Sequence, residues 1–314
     1  MIELRQLRSL IAVAEQKSFS AAADILHTVQ SNVSAHVARL EQELGVLLID
    51  RKDYRLTSEG QAVVDRAYRI EAELEAIHSD VAALSNEVIG TVRLGMIGTT
   101  ARWLLPKLLD LSKKLYPKLD LIGVEGTSSV LETQLESGRL DLAVIPIPVG
   151  GDFYFQNLFQ EELVLVVKKD HPLASKEKVD LSDIANIELL LPVQGTTFRK
   201  ELDSAIAPAK IKLHPIAELE GVRLIASLTF DEYGPSILPA TAVLPSWVNT
   251  LTAVPVQGLY PRCVVLAQRK MTKISSPSKA ISDLIHTAVE EQAKKTSGLH
   301  SMNTDSHPKT KASK

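Results

Sequence analysis

The stretch from Ser18 to Gly45, SFSAAADILHTVQSNVSAHVARLEQELG, constrains the chain most, because it holds two helical patterns joined by a very short turn. In the first, Phe19, Ala22, Ala23 and Leu26 recur at helical spacing, with Ser18 or Ser20 placed to cap the N-terminus. His27 and Thr28 break that pattern, and Thr28 is placed to cap the second helix. In that second helix, Val33, Val37, Leu40 and Leu44 form one apolar stripe. The opposite face carries Gln30, Ser31, Ser34, Ala35 and Ala38. A purely solvated helix would carry Lys and Glu there for i,i+4 pairs. Small hydroxyl and amide side chains instead let a helix approach another body closely, as a recognition helix does in a major groove. The competing reading is an ordinary helical hairpin in an all-α core.

The flanks favour the helix-turn-helix. Leu4, Leu7, Ile11 and Ala14 share one face of a supporting first helix. After Gly45, the residues Val46, Leu48 and Ile49 predict a short buried strand, and Arg51, Lys52 and Arg55 then cluster around Asp53 and Tyr54. A basic hairpin in this position reads as a wing that meets phosphates; the alternative is a solvated turn. Ser58 and Gln61 have capping-box spacing and open a long helix to about Asn86. Its apolar positions, Val63, Ala67, Ile70, Leu74, Ile77, Val81, Leu84 and Val88, alternate by four and three in a heptad seam. One helix cannot bury so narrow a seam alone. A second copy of the chain is the simplest partner, and symmetric DNA half-sites would ask for one.

From Thr91 the pattern becomes alternating strand and helix: TVRLGMIG, a helix from Ala101 to Leu115, LDLIGVEG, SSVLETQLESG and LDLAVIPIP. Such alternation implies βαβ units and a mostly parallel sheet. ELVLVVKKDHPLA starts a second lobe, which continues through IELLLP, a helix from Phe198 to Ala207, HPIAEL, GVRLIASL, SILPATAV and RCVVLAQ. Ser276-Pro277 opens a last helix to about Lys294, and the polar remainder is expected to be disordered.

At 314 residues the chain is too long for one core. A net charge of −3 gives no global signal for nucleic acid, so DNA contact must rest on local basic positions. The single cysteine, Cys263 in an apolar run, excludes a disulfide framework, suits a reducing cytoplasm and reads as a buried filler. MIELRQLRSL reads as an amphipathic helix rather than a signal peptide, and no apolar run reaches membrane-spanning length.

By residue 60 the sequence resembles the LysR-type transcriptional regulators. The resemblance rests on Leu4, Phe19, Ala22-Ala23, Leu26, Gln30-Ser31, Ser34, Leu40-Glu41, Leu44-Gly45, Leu48, Arg51, Leu56-Thr57 and Gly60. It implies an α/β protein with a winged helix-turn-helix over 1–58 and a dimerising linker helix over 59–89. A two-lobed effector domain like a periplasmic binding protein would span 90–293, with lobe I at about 90–163 and 268–293, lobe II at about 164–267, and a disordered tail over 294–314. It implies a cytoplasmic regulator that reads an interrupted palindrome as a dimer or tetramer, with RNA polymerase as a further candidate partner. A small, anionic effector would sit between the lobes. The DNA-contacting positions would be Ser18, Thr28, Gln30, Ser31, Asn32, Ser34, Ala35, His36, Ala38, Arg51, Lys52 and Arg55. Many members carry basic residues where this chain has Ala35 and Ala38. His36 either reaches base or phosphate or is solvated.

The matching cleft positions are Thr99 and Thr100 after the first strand, and Thr196 and Thr197 before Phe198. Both pairs put hydroxyls and backbone N–H groups at a helix N-terminus, where the dipole favours an anion. The alternative is that they are only N-caps. Pro146 and Pro148 either line the cleft or bend its exit. The turn before ILP is longer than the family's by about four residues, which brings Asp231, Glu232 and Tyr233 towards the effector or into a surface bulge. No convincing nucleophile with its base, metal-ligand spacing or cofactor motif occurs, so no cofactor and no metal are expected. The rival readings are an enzyme working in the cleft and a constitutive DNA-binding protein whose cleft is vestigial.

Overall fold

The structure is a computed structural model and describes residues 1–85, 87–147, 151–270 and 273–302. The chain forms two compact units, Met1–Ser85 with Glu136–Arg139, and Asn86–Leu135 with Leu140–Lys314.

The first unit packs α1 (Leu4–Gln16), α2 (Phe19–Ile25), α3 (Gln30–Leu44) and the start of α4 (Ser58–Ala83) around one core. That core holds Leu10, Val13, Ala22, Val33, Val37, Leu40, Leu48, Ile49, Val64 and Ala67. The apolar stripe of α3 is therefore the buried face, except for Leu44 at its exposed end. Ser18 caps α2, its hydroxyl accepting from the Ala21 amide at 3.3 Å. Val29, not Thr28, occupies the N-cap of α3; the Thr28 hydroxyl instead accepts from the Asn32 side-chain Nδ2 at 3.0 Å. Gly45 ends α3 at φ +70°, a left-handed position that glycine takes at little cost.

The expected strand after α3 is reduced to a single antiparallel bridge, Ile49 to Leu56. Leu48 and Ile49 are buried, whereas Val46 is exposed. The cap of α4 lies one residue before the expected one: the Thr57 hydroxyl accepts from the Gly60 amide at 2.9 Å. The Thr57 amide also donates to the Leu48 carbonyl, so the chain passes close to α4 there. A Cβ on Gly60 would stand 1.9 Å from that carbonyl oxygen, and only glycine fits. The helix stops at Ala83 rather than near Asn86, and Val88 lies beyond it, leaving Leu84 as the seam's last member.

The second unit contains two six-stranded sheets. The strands are β1 (Gly90–Met96), β2 (Leu119–Glu125), β3 (Leu142–Pro146), β4 (Phe153–Glu161), β5 (Leu163–Lys168), β6 (Val179–Asp180), β7 (Glu188–Pro192), β8 (His214–Leu219), β9 (Ser236–Pro239), β10 (Leu251–Gln257), β11 (Arg262–Arg269) and β12 (Leu299–Ser301). The helices are α5 (Gly98–Leu115), α6 (Ser128–Ser137), α7 (Leu181–Ile184), α8 (Thr197–Ile206), α9 (Val222–Phe230) and α10 (Ser276–Ala293). Lobe I has the order β12-β4-β11-β3-β1-β2, and lobe II the order β6-β10-β5-β9-β7-β8. Strands β1, β2 and β3 run parallel, as the βαβ pattern predicts, while β11, β4 and β12 are added antiparallel. Each sheet is therefore mixed.

Two expected boundaries move. RCVVLAQ, assigned from sequence to lobe II, is β11 of the lobe I sheet, so the chain returns between Gln257 and Arg262 rather than near 268. The tail is structured to residue 302: β12 pairs with β4, Leu299 is buried, and the Met302 amide donates to the Leu158 carbonyl at 3.0 Å. Covering the bare edge of β4 explains why so polar a segment is fixed.

Candidate functional site

On α3 the face opposite the core is open. Gln30, Ser31, Asn32, Ala35 and Ala38 are exposed and Ser34 is half-buried. Arg39 is exposed too, one turn beyond Ala35, and it supplies a cation absent from the residues expected to contact DNA. The Ser31–Ala35–Arg39 spacing of four is the sequence signal for it. His36 is not free: its Nδ1 lies 3.0 Å from the Ser9 hydroxyl, which ties the ring to α1.

The basic hairpin divides into two kinds of cation. Lys52 and Arg55 are exposed, Arg55 beside Asp53 at 3.1 Å. Arg51 is engaged inward, 2.6 Å from Glu41 Oε2 and stacked over the Phe19 ring at 5.2 Å. Glu41 itself is buried and accepts from the amides of Leu48 and Ile49 at 3.0 and 3.3 Å. Arg51 and Glu41 thus fasten the hairpin to α3, a coupling invisible in sequence because Glu41 looks like one acid among several.

Along α4, Val63 and Leu74 are half-buried, Ala67 is buried, and Ile70, Ile77, Val81 and Leu84 are exposed, Leu84 to 86%. Four large aliphatic side chains on one seam are more exposed apolar surface than an isolated helix normally carries.

The second unit has a cavity of about 360 Å³ between its lobes, within the size range of small-molecule sites. It lies beyond the carboxyl ends of β1, β2, β3, β7 and β8, where open α/β sheets bind ligands. Four helices, α5, α6, α8 and α9, present N-terminal residues to it: Gly98 and Thr99, Ser128, Thr197, and Val222 with Arg223. Thr196 caps α8, and both Thr196 and Thr197 line the cavity, as does Pro146. Pro148 lies outside the described residues.

Thr99 and Thr100 differ from expectation. Helix α5 starts at Gly98, not Ala101, so both lie inside its first turn. Thr99 lines the cavity, whereas Thr100 is fully buried behind it, its hydroxyl without a hydrogen-bond partner among the described residues. Tyr233 is also displaced: it is 69% exposed and does not line the cavity. Only the N-terminus of α9 reaches the cleft, and the Asp231–Tyr233 turn follows its far end, about 13 Å away at 1.5 Å per residue. Glu232 there pairs with Lys168 at 2.6 Å, so the extra residues form a surface bulge.

The cleft also carries paired charges. Arg262 is nearly buried and held by the fully buried Glu161, with Nε and Nη2 at 2.9 and 2.5 Å from one carboxylate oxygen. Thr241 donates through its amide and hydroxyl to the other oxygen, at 3.2 and 2.7 Å. The Arg262 guanidinium also lies over the Phe198 ring at 5.3 Å. Arg223 pairs with Glu125 across the lobes. Glu201, absent from the expected site, lines the cavity with a solvent-shielded Oε2 that has no hydrogen-bond partner among the described residues. Burial pushes its carboxyl up from the ordinary range; nearby Arg262 opposes that shift and Glu161 adds to it.

These features define a helix-turn-helix protein with a two-lobed domain of the ligand-binding type. Residues 4–61 match the family model for the bacterial regulatory helix-turn-helix protein of the lysR family, and residues 85–290 match the LysR substrate binding domain. The chain belongs to the LysR family of transcriptional regulators. It is 34% identical over 245 residues to a probable hydrogen peroxide-inducible genes activator of Streptomyces viridosporus, covering 76% of this chain and 78% of that protein. It is 28% identical over 247 residues to the DNA-binding transcriptional dual regulator OxyR of Escherichia coli, covering 78% of this chain and 81% of that one. Among solved structures, a full-length OxyR variant from Pseudomonas aeruginosa matches with a TM-score of 0.71 at 25% identity, over 92% of this chain and 98% of that one. Full-length CbnR complexed with its target DNA has the same fold, with a TM-score of 0.65 at 24% identity, over 93% of this chain and 100% of that one. No helix among the described residues is long and apolar enough to cross a membrane.

Proposed function

We propose that this chain acts in the cytoplasm, binds an interrupted palindromic operator as a dimer or a dimer of dimers, and influences transcription by RNA polymerase in response to a small molecule held between its lobes. The observation that carries the reading is the open, small and polar face of α3 opposite the buried Val33, Val37 and Leu40. In a major groove, Gln30, Ser31, Asn32 and Ser34 would meet base edges near the helix N-terminus, with Ala35 and Ala38 allowing close approach. Lys52, Arg55 and Arg39 would meet phosphates, with Ser18 and Thr28 at the rim of the contact. Arg51 and His36 would support that surface from behind, since both are held by protein partners. The exposed seam of α4 from Ile70 to Leu84 would be covered by the same seam of a second copy.

The effector would lie in the cleft, reached by Thr99, Pro146, Thr196 and Thr197. The Streptomyces viridosporus relative is named for induction by hydrogen peroxide, but a response through a disulfide within one chain needs two cysteines, and this sequence has one. Cys263 sits half-buried on β11 and does not line the cavity, and burial raises its thiol pKa, which disfavours the reactive thiolate. A reversible metabolite fits this cleft better than an oxidant.

The test is a mobility-shift titration with operator DNA. Gln30→Ala and Ser34→Arg should each weaken specific binding about tenfold or more while the dimer persists, because one good base contact contributes about 1–3 kcal/mol. Unchanged affinity in both variants would remove α3 from the contact surface.

A further inference from the structure

Among Gln30, Ser31, Asn32 and Ser34, the polar residues in the first turns of α3, only Asn32 has a side-chain hydrogen bond within the described residues. Its Nδ2 donates to the Thr28 hydroxyl at 3.0 Å. Thr28 is itself fixed. Its main-chain amide donates to the Ala23 carbonyl at 2.9 Å, and His27 before it takes the left-handed φ of +52° in the turn between α2 and α3. The main-chain amide of Asn32 donates to the Val29 carbonyl at 3.0 Å, so both ends of the Thr28–Asn32 contact rest on hydrogen-bonded backbone. A free carboxamide can turn about its last bond and offer one hydrogen bond to any base, since guanine and thymine present acceptors in the major groove, cytosine a donor and adenine both. Thr28 removes that freedom. It takes one of the two hydrogens on Nδ2, which leaves the other N–H and Oδ1 for a partner on the DNA. Adenine is the single base that sets a donor, N6, beside an acceptor, N7, and can satisfy both. We propose that Asn32 reads an adenine in each operator half-site, with Thr28 the positioning residue that sets the edge its carboxamide presents.

Asn32 is exposed and lies in the first turn of α3, where a recognition helix presents its residues to base edges. On guanine its Oδ1 would face acceptors alone, and an acceptor left without a donor in a closed interface is costly. Gln30 has the same head group on a longer side chain with no partner to hold it, so it must be ordered at the moment of binding. Ser31 and Ser34 carry hydroxyls, which pair with donors and acceptors alike. Asn32 is therefore the member of this set that discriminates most between bases. The inference rests on the reading of α3 as the recognition helix.

The experiment uses the full-length protein. Selection from random DNA defines the half-site, and the base facing Asn32 is the position at which Asn32→Ala loses preference. The unsubstituted protein should favour A there by about fivefold or more over each other base in competition binding. Replacing that adenine by 7-deazaadenine, which lacks the N7 acceptor, should weaken the unsubstituted protein by about fivefold or more and Asn32→Ala by less than about twofold. Thr28→Val keeps the shape of the side chain without its hydroxyl, and should reduce the preference for A to within about twofold, whereas Thr28→Ser should restore it. A purely structural role for Thr28 would instead lower affinity for all bases alike. A preference for another base, no position that responds to Asn32→Ala, or the same loss from 7-deazaadenine in both proteins would overturn the assignment of Asn32 while leaving α3 as the DNA-contacting helix. A preference for A that survives Thr28→Val would overturn the positioning role. Selection that enriches no sequence would overturn both the inference and the reading of α3.

Discussion

Glu41 is 8% exposed on α3, and three donors converge on its carboxylate: the amides of Leu48 and Ile49 and the guanidinium of Arg51. Removing it orphans two buried amides, at about 1–3 kcal/mol each. The ion pair adds little, because Arg51 is half in solvent. Glu41→Ala is therefore expected to lower the melting temperature of the N-terminal unit and to loosen the basic hairpin, measurable as faster amide exchange at Leu48 and Ile49. An unaltered melt would show that the hairpin holds without it. At Cys263 the expectation runs the other way: its half-buried thiol should react with a disulfide reagent more slowly than free cysteine. Equal rates would contradict the burial. The residues legible in the sequence are those whose role is local. Thr196 and Thr197 announce a helix start by type and position, and Gly45 announces a helix end. The surroundings of Glu41 and Glu201 are not legible, because they depend on the segments that fold over each residue, and acid residues on helices ordinarily face water.

Among elements, α4 carries two different surfaces along one seam. Its first turns belong to the N-terminal core through Val64 and Ala67, while Ile77, Val81 and Leu84 are bare. The heptad spacing is legible because its apolar residues recur by four and three, and it extends as far as Leu84. Leu74→Glu or Ile77→Glu should convert the dimer to monomer on size-exclusion chromatography with light scattering. A dimer persisting in both would place the interface elsewhere. In the second unit, β1, β2 and β3 are readable because apolar strands alternate with amphipathic helices. Strand β4, FYFQNLFQE, is not, since its polar and apolar residues follow no strict alternation and its partner β11 comes about a hundred residues later. The β12 strap is hidden for a similar reason: its three residues gain order only from the β4 edge they cover. Leu299→Ala should destabilise the effector-binding unit by about 2–5 kcal/mol if the strap is packed as described. A loss near zero would mean the strap is dispensable.

For the molecule as a whole, the near-neutral charge balance makes binding depend on few cations. Arg39, Lys52 and Arg55 are exposed cations of α3 and the basic hairpin, while Arg51 is taken by Glu41. Such a small set should give a measurable but limited salt dependence, since each phosphate contact contributes about −0.9 to the slope of log K against log salt. The most direct measurement is a footprint of the purified protein on the DNA upstream of its own gene, repeated across a salt series, with selection from random DNA run in parallel. Two protected half-sites related by a two-fold axis, weakening as salt rises, are predicted for a dimer that reads DNA through α3 and the basic hairpin. Absence of protection at low salt, together with no sequence enriched by selection, would contradict the account.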